Sequence, residues 1–385
     1  MGKNRVIAFY LPQYHPIPEN DAWWGLGFTE WTNVASAKPL FRGHVQPRIP
    51  ADLGFYDLRL PETREAQAKL AKEAGIEGFC YYHYWFGNGR QLLERPFNEV
   101  LASGKPDFPF CLCWANHTWA SATWTNSKSH KTGSHILMEQ LYPGKEDNET
   151  HFYALLSAFK DPRYIKVDGK PLFAIYDPFK FERVNDFITQ WRNLARENGL
   201  GDFHFVAVVT TATPTSYIKS IQKDPKNVES VAEERVRNVL AEGFDAAATD
   251  NRQYAQIRAK GIVRSAWHDF MTQKLHIQRP FVFRQSDINR FMLLELEKRE
   301  NIYPTLYPNW DRTPRNRDDA VYVNSTPAVF EDLTGRAVTQ VSQKADEHRI
   351  IFLKSWNEWG EGNYVEPDQQ YGHGYIEALQ RALNQ

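Results

Sequence analysis

Cysteine is scarce in this 385-residue chain: only Cys80, Cys111 and Cys113 occur, each inside an apolar run. An odd number cannot close a disulfide framework, and Cys111-x-Cys113 has neither the spacing nor the accompanying His/Cys pair of a zinc site. The three read as reduced core residues, and no metal or cofactor is expected. Net charge is missing as well. Lys and Arg number 46 against 47 Asp and Glu, a formal charge of -1, which removes electrostatic attraction to nucleic acid or an anionic membrane as an organising theme. No apolar stretch approaches the ~20 residues that a membrane span needs. At the amino end, Met1 to Arg5 lead into the apolar run Val6–Leu11 and then Pro12, too short for a signal peptide. The expected location is therefore cytoplasmic; a chain whose leader had been removed would read the same and would belong to the periplasm or the exterior.

Several enzyme signatures are also absent. There is no Gly-rich phosphate loop followed by Lys, no G-x-G-x-x-G opening a helix, no G-x-S-x-G elbow and no H-E-x-x-H. These gaps disfavour NTPase, dehydrogenase, serine-hydrolase and zinc-protease chemistry. A nucleotide-sugar site, which can lack a simple pattern, stays open.

What the chain does have is aromatic residues, 12 Trp, 18 Tyr and 24 Phe, concentrated at the ends of short β-rich runs. Those runs are Val6–Leu11, Gly78–Tyr84, Phe108–Trp114, Leu172–Tyr176, His204–Val209, Phe244–Thr249, Tyr303–Tyr307 and Arg349–Lys354. Helical patterns separate them, as in Pro61–Ala74, which opens on Pro, and Glu182–Asn198, which stops before Gly199. Ser286–Arg299 carries Ile288, Phe291, Met292 and Leu296 at helical spacing and predicts a third helix. Eight strands in alternation with helices predict an α/β fold, a (β/α)8 TIM barrel, with long loops after strands 1 and 3 (12–60 and 115–147). With no linker, repeat or low-complexity block, residues 1–385 read as a single barrel domain.

The last run delivers the densest chemistry: Ser355-Trp356-Asn357-Glu358-Trp359-Gly360-Glu361-Gly362-Asn363. Two carboxylates in one small cleft push their pKa values apart, one toward a proton donor and the other toward a base. Cleaving a glycosidic bond needs that division of labour. Tryptophan suits the sugar itself, since a flat indole face stacks on the C–H face of a pyranose while its N–H can donate. The alternative is a pair of solvated loop glutamates beside core tryptophans; the strand-end position and the flanking aromatics favour catalysis by Glu358 and Glu361.

In such a barrel the chemistry sits at the carboxyl ends of the strands, which yields a list of substrate-binding candidates. They are Tyr10, Gln13, Trp24, Glu30 and Trp31 around the first loop; His83, Tyr84 and Trp85; Trp114, Asn116 and His117; Tyr176; Asn309, Trp310 and Asp311; and Trp356 and Asn357 beside the glutamates. Each has a structural alternative. His83 and His117 are also readable as satisfied core histidines, Glu30 as a loop cap or ion-pair partner, Asp311-Arg312 as an ion pair, and Trp23, Trp24 and Trp31 as a loop's own small core.

Taken together, 8–16 (AFYLPQYHP), 27–34 (GFTEWTNV), 78–85 (GFCYYHYW), 113–116 (CWAN) and 356–362 (WNEWGEG) resemble the WbsX-like family, related to glycoside hydrolase family 99. The resemblance implies a (β/α)8 barrel acting on carbohydrate. It further implies that Glu358 removes the proton of a sugar 2-hydroxyl, so that this oxygen closes on the anomeric carbon, and that Glu361 is the general acid/base. The chain departs from the family pattern at His117-Thr118-Trp119, where Glu-Asn-Trp is more usual, so a sugar subsite is altered there. The expected partner is an oligo- or polysaccharide substrate, and the expected activity is retaining hydrolysis of α-linked glycans. A glycosyltransferase of surface-polysaccharide biosynthesis and a non-catalytic carbohydrate-binding barrel are the alternatives.

Overall fold

A computed structural model describes residues 4–121, 135–213, 229–260, 280–317 and 319–384. Eight strands, here β1 Arg5–Tyr10, β2 Gly78–Trp85, β3 Phe110–Trp114, β4 Lys170–Ile175, β5 His204–Thr210, β6 Ala246–Asp250, β7 Ile302–Leu306 and β8 Ile350–Leu353, pair in parallel, each with the next in sequence. The sheet closes where β1 lies between β2 (Ile7 opposite Gly78) and β8 (Arg5 opposite Ile350). These are the eight strands expected from sequence, with ends shifted by up to two residues. Their continuous apolar character follows from burial on both faces, as in β2, where all eight residues are buried.

The helical shell follows the sequence at two places. Pro61–Glu73 begins with Pro in the first turn, where the missing N–H is no loss. Val184–Glu197 turns Val184, Phe187, Ile188, Trp191 and Leu194 inward at helical spacing, with the Trp191 ring 4.8 Å from Phe173 of β4. The helix expected over Ser286–Arg299 does not form as one piece. An α-helical segment ends at Asn289, and a 3₁₀ turn resumes at Glu295. The reason is Glu297: its fully buried carboxylate accepts from Leu294 N and from Asn251 Nδ2 and the Thr249 hydroxyl of the β6 region, contacts that a continuous helix could not present.

The connection after β1 holds two short helices, α1 Pro18–Trp24 and α2 Glu30–Ser36, and is fastened by aromatic contacts. Trp31 lies 4.6 Å from Tyr14 and 5.6 Å from Trp359, and its indole N–H donates to Tyr56 O. This loop therefore packs directly against the turn that carries the glutamates. Part of the long connection after β3 lies outside the described residues. No helix among the described residues is long and apolar enough to cross a membrane.

Candidate active site

After β8 the chain makes a tight antiparallel hairpin, pairing Asn357 with Tyr364 and Glu358 with Asn363. Ser355 anchors it, accepting from Glu358 N and donating to Asn363 O, both at 2.8 Å. The turn Trp359–Glu361 ends at Gly362 in the left-handed region (φ 59°), a conformation glycine adopts without cost. Glu358 and Glu361 thereby enter one cleft of about 340 Å³ at the carboxyl end of the barrel. Its walls come from Leu11 and Gln13 after β1, Trp24 of α1, Tyr82 and Tyr84 of β2, His117 to Ala120 after β3, Tyr176, Asp177 and Lys180 after β4, and Arg312 and Arg315 after β7.

Arg315 organises the acidic centre. Its Nη1 lies 2.6 Å from Glu361 Oε1 and 3.6 Å from Glu358 Oε1, and its Nε lies 2.8 Å from Glu30 Oε1. Arg312 Nε adds a second contact to Glu361 Oε1 at 3.1 Å and reaches Asp319 with Nη1 at 2.9 Å. The two glutamates consequently differ. Burial, then the neighbouring Glu361 charge, pushes Glu358 up to about 8, against the pull of Lys354 and Arg315. Burial also disfavours the Glu361 anion, but Arg315 and Arg312 outweigh it and hold that group at about 2. Burial thus favours the protonated form of Glu358, and the two arginines favour the anion of Glu361.

Lys354, buried directly after β8, donates to the Tyr176 hydroxyl at 2.7 Å. Burial lowers the His117 pKa to about 4, with Lys180 adding to the effect, so the imidazole facing the cleft is neutral.

Of the residues expected from sequence, Glu358, Glu361, Gln13, Trp24, Tyr84, His117 and Tyr176 come together here. The others lie away from the cleft wall. Tyr10 points toward the helical shell, donating to Gln67. Glu30 is fully buried behind Arg315, and Trp31 packs within the first loop. His83 meets His151 at 2.8 Å, and Trp85 stacks on that same ring while donating to Asp147. The Trp114 indole donates to Trp85 O, and Asn116 ties Tyr142 to Asp177. Asn309, Trp310 and Trp356 are buried; the Arg252 guanidinium sits 4.0 Å over the Trp310 ring. Asp311 does not pair with Arg312 but accepts from His44, Gln46 and Thr313. Asn357 binds both the N–H and the O of Leu11, extending β1 like a further strand residue.

Sequence reasoning passed over Arg315, Lys354, Tyr82 and Lys180. Only Lys354 left a signal, a cation at a strand end where most of the other strands present aromatics. A buried arginine in a polar loop looks like any surface arginine. Among the described residues, no group of three or more His, Cys, Asp or Glu is arranged to hold a metal ion.

The turn tolerates no added bulk at Gly360, where a Cβ would lie 1.7 Å from Glu30 Oε1 and 2.8 Å from its Cδ. Gly360→Ala is expected to force the Glu30–Arg315 pair aside and destabilise the protein by about 1–3 kcal/mol, measured by urea unfolding; an unchanged midpoint would show that the close approach does not exist.

These elements define a (β/α)8 barrel of the glycoside hydrolase family 99 shape. The endo-α-mannosidase of that family from Bacteroides thetaiotaomicron, solved with bis-tris-propane, aligns over 100% of this chain and 98% of its own at 13% identity and a TM-score of 0.54. A second structure of that enzyme gives 0.52 at 14% identity, covering 100% of this chain and 97% of its own; a glycoside hydrolase-like protein gives 0.51 at 15%, covering 100% and 94%. At such identities the likeness is one of fold. The chain belongs to the family described as Glycosyltransferase WbsX, whose model matches residues 6–379. The uncharacterized protein WxcX of Xanthomonas campestris pv. campestris is similar at 34% identity over 386 residues in strain B100 and likewise in strain ATCC 33913, covering 98% of this chain. The chain spans about half the length (49%) of these curated relatives.

Proposed function

We propose that the barrel is an enzyme acting on glycosidic bonds, with Glu358 and Glu361 handling protons at the anomeric centre, and that its reaction is retaining hydrolysis of an α-linked glycan with a free 2-hydroxyl on the cleaved residue. One observation carries this reading: two buried glutamates share an aromatic-walled cleft and one arginine, which lies 2.6 Å from Glu361 and 3.6 Å from Glu358 and so favours the anion of the first more than that of the second. An acid and a base beside one sugar carbon are what acetal cleavage requires. A barrel shape shared with an endo-α-mannosidase supports the same reading. The tyrosines and tryptophans of the wall offer flat faces to pyranose rings, and Gln13 and neutral His117 offer hydrogen bonds to hydroxyls.

The second reading is a glycosyltransferase, favoured by the family description and by Arg312 and the exposed Lys180 on the cleft wall, which could meet the phosphates of an activated donor. Incubating the protein with a polysaccharide panel, alone and with nucleotide-sugar donors, and analysing products by mass separates the two. Hydrolysis releases reducing sugar without donor; transfer extends an acceptor only with donor; binding without either product leaves the silent barrel. Trp24→Ala, at the cleft wall, is expected to lower kcat/KM about tenfold, chiefly through KM, because stacking acts on bound sugar before the chemical step. An unchanged KM would remove Trp24 from the sugar site.

A further inference from the structure

Lys180 belongs to two hollows at once. One is the glutamate cleft; the other is a groove of about 850 Å³ beside it, lined by residues 140–144 and by the first turns of the helices Lys145–Phe159 and Val184–Glu197. Its volume lies within the range of small-molecule clefts, roughly 300–1,000 Å³. The wall between the two is thin. Asn116 Nδ2 donates to the Tyr142 hydroxyl on the groove side and to Asp177 O on the cleft side, each at 2.9 Å, and Gln140 N of the groove donates to the Thr118 hydroxyl of the cleft at 3.0 Å.

The groove offers fixed amides in place of free charges. Asn148 Nδ2 donates to Gln190 Oε1 at 3.1 Å, Gln190 Nε2 donates to Lys145 O at 2.8 Å, and the Trp191 indole donates to Asn148 O at 2.9 Å. Both amides are thereby held in one orientation, with Asn148 Oδ1 and the second N–H of Gln190 left over among the described residues. Gln140 Oε1, in the same lining, is buried and accepts no hydrogen bond, a cost that a ligand hydroxyl removes. Tyr142 and Phe181, stacked with ring centroids 4.2 Å apart, supply the apolar part of the wall. The charges largely cancel: Lys180 pairs with Asp177 at 2.7 Å and Arg183 with Asp186 at 2.6 Å. Both helices also place acids in their first turns, Glu146 and Asp147 in one and Asp186 in the other, which opposes a phosphate at either helix start.

We propose that this groove is a second saccharide-binding site, taking neutral, hydroxyl-rich units of the same glycan chain whose reacting unit lies in the cleft, with Lys180 at the crossing point between them. The proposal rests on the glycosidic-bond reading above. An amide presents a donor and an acceptor side by side, the match for two neighbouring hydroxyls of a pyranose. A chain engaged at the cleft reaches the groove intramolecularly, so affinity grows with chain length without any new contact in the cleft.

Two measurements test the proposal. Thr189 is an exposed helix position in the groove lining and is not among the residues of the cleft wall, so Thr189→Arg obstructs the groove at little cost to stability. With α-mannan and α-glucan oligosaccharides of increasing length, kcat/KM of the unsubstituted protein should rise about tenfold from the shortest substrate turned over to the longest. Thr189→Arg should lose that gain while keeping the shortest substrate within about twofold. An equal loss at every length, or an unchanged dependence on length, overturns the proposal.

The second measurement needs no turnover. In the full chain with ¹⁵N-labelled side-chain amides, the Asn148 and Gln190 resonances, assigned by their loss in Asn148→Ala and Gln190→Ala, are followed during titration with the same oligosaccharides and, separately, with UDP-glucose and GDP-mannose. Shifts that saturate at about tenfold lower concentration with the longer oligosaccharides, and that vanish in Thr189→Arg, support a sugar site. Shifts caused by the nucleotide sugars and not by oligosaccharides would make the groove a donor site and end the proposal, as would no shift with any of them. Oligosaccharide binding at these amides without turnover sinks the hydrolase reading alone; hydrolysis of oligosaccharides that leave these amides unmoved sinks the groove alone.

Discussion

Glu361→Gln is expected to lower turnover on the glycan proposed as substrate by about 10⁴-fold, at the upper end of what one acid–base group supplies, with little change in the urea midpoint. The amide keeps the shape of the side chain, so the turn from Trp359 to Gly362 and its contact from Asp311 N to Glu361 O, a backbone bond of 2.7 Å, remain. What disappears is a negative charge that Arg315 and Arg312 both face. Glu358 loses the like-charged neighbour that, after burial, raises its pKa, so the variant removes one carboxyl of the pair and weakens the other's hold on its proton together. Initial rates and urea unfolding on one preparation check both halves. Activity within tenfold of the unsubstituted protein would take Glu361 out of the chemistry, whichever direction its proton moves.

The largest effect on stability is expected from Arg315→Leu. The side chain is nine-tenths buried and meets Glu30, Glu358 and Glu361. Deleting one partner of a buried ion pair leaves an uncompensated charge and typically costs about 3–5 kcal/mol; Arg312 still faces Glu361, but no contact of that kind reaches Glu30 among the ion pairs of the described residues. The loss should depend on pH. The depressed pKa of Glu361 contributes stability above the ordinary glutamate range, and that contribution is lost as pH falls toward 2. Glu30, its pKa raised by burial in spite of Arg315, is readily neutralised by acid once the arginine is gone. The gap between variant and unsubstituted protein is therefore widest near pH 7 and narrows below about 4.5. Urea unfolding at pH 7 and pH 4.5 measures it, and a difference under about 1 kcal/mol at pH 7 would mean that water, not Arg315, solvates these carboxylates.

The barrel was readable because strands buried on both faces have a distinctive composition, and all eight runs lie where the apolar pattern puts them. Tertiary contacts overrode local pattern at Glu297, whose inward carboxylate splits an otherwise helical stretch. The glutamates were readable because strand-end position narrows the choice of rim residues. Their surroundings were less so. Asn357, Trp356 and Asp311 are of the residue types that bind sugars, yet here the asparagine and the aspartate hold loops and the tryptophan is buried; type and strand-end position are alike in both uses. Arg315 was invisible for the converse reason, since its significance lies in three partners drawn from distant parts of the chain.

Asn357 fastens the glutamate turn to Leu11 across 346 positions, and Trp359 N donates to the hydroxyl of Tyr14. The floor of the cleft is thus knotted from the first and last parts of the barrel. During synthesis no shorter nascent product can hold the two acids in place, because their support arrives only after residue 366, whose carboxylate receives the Trp359 indole, has left the ribosome.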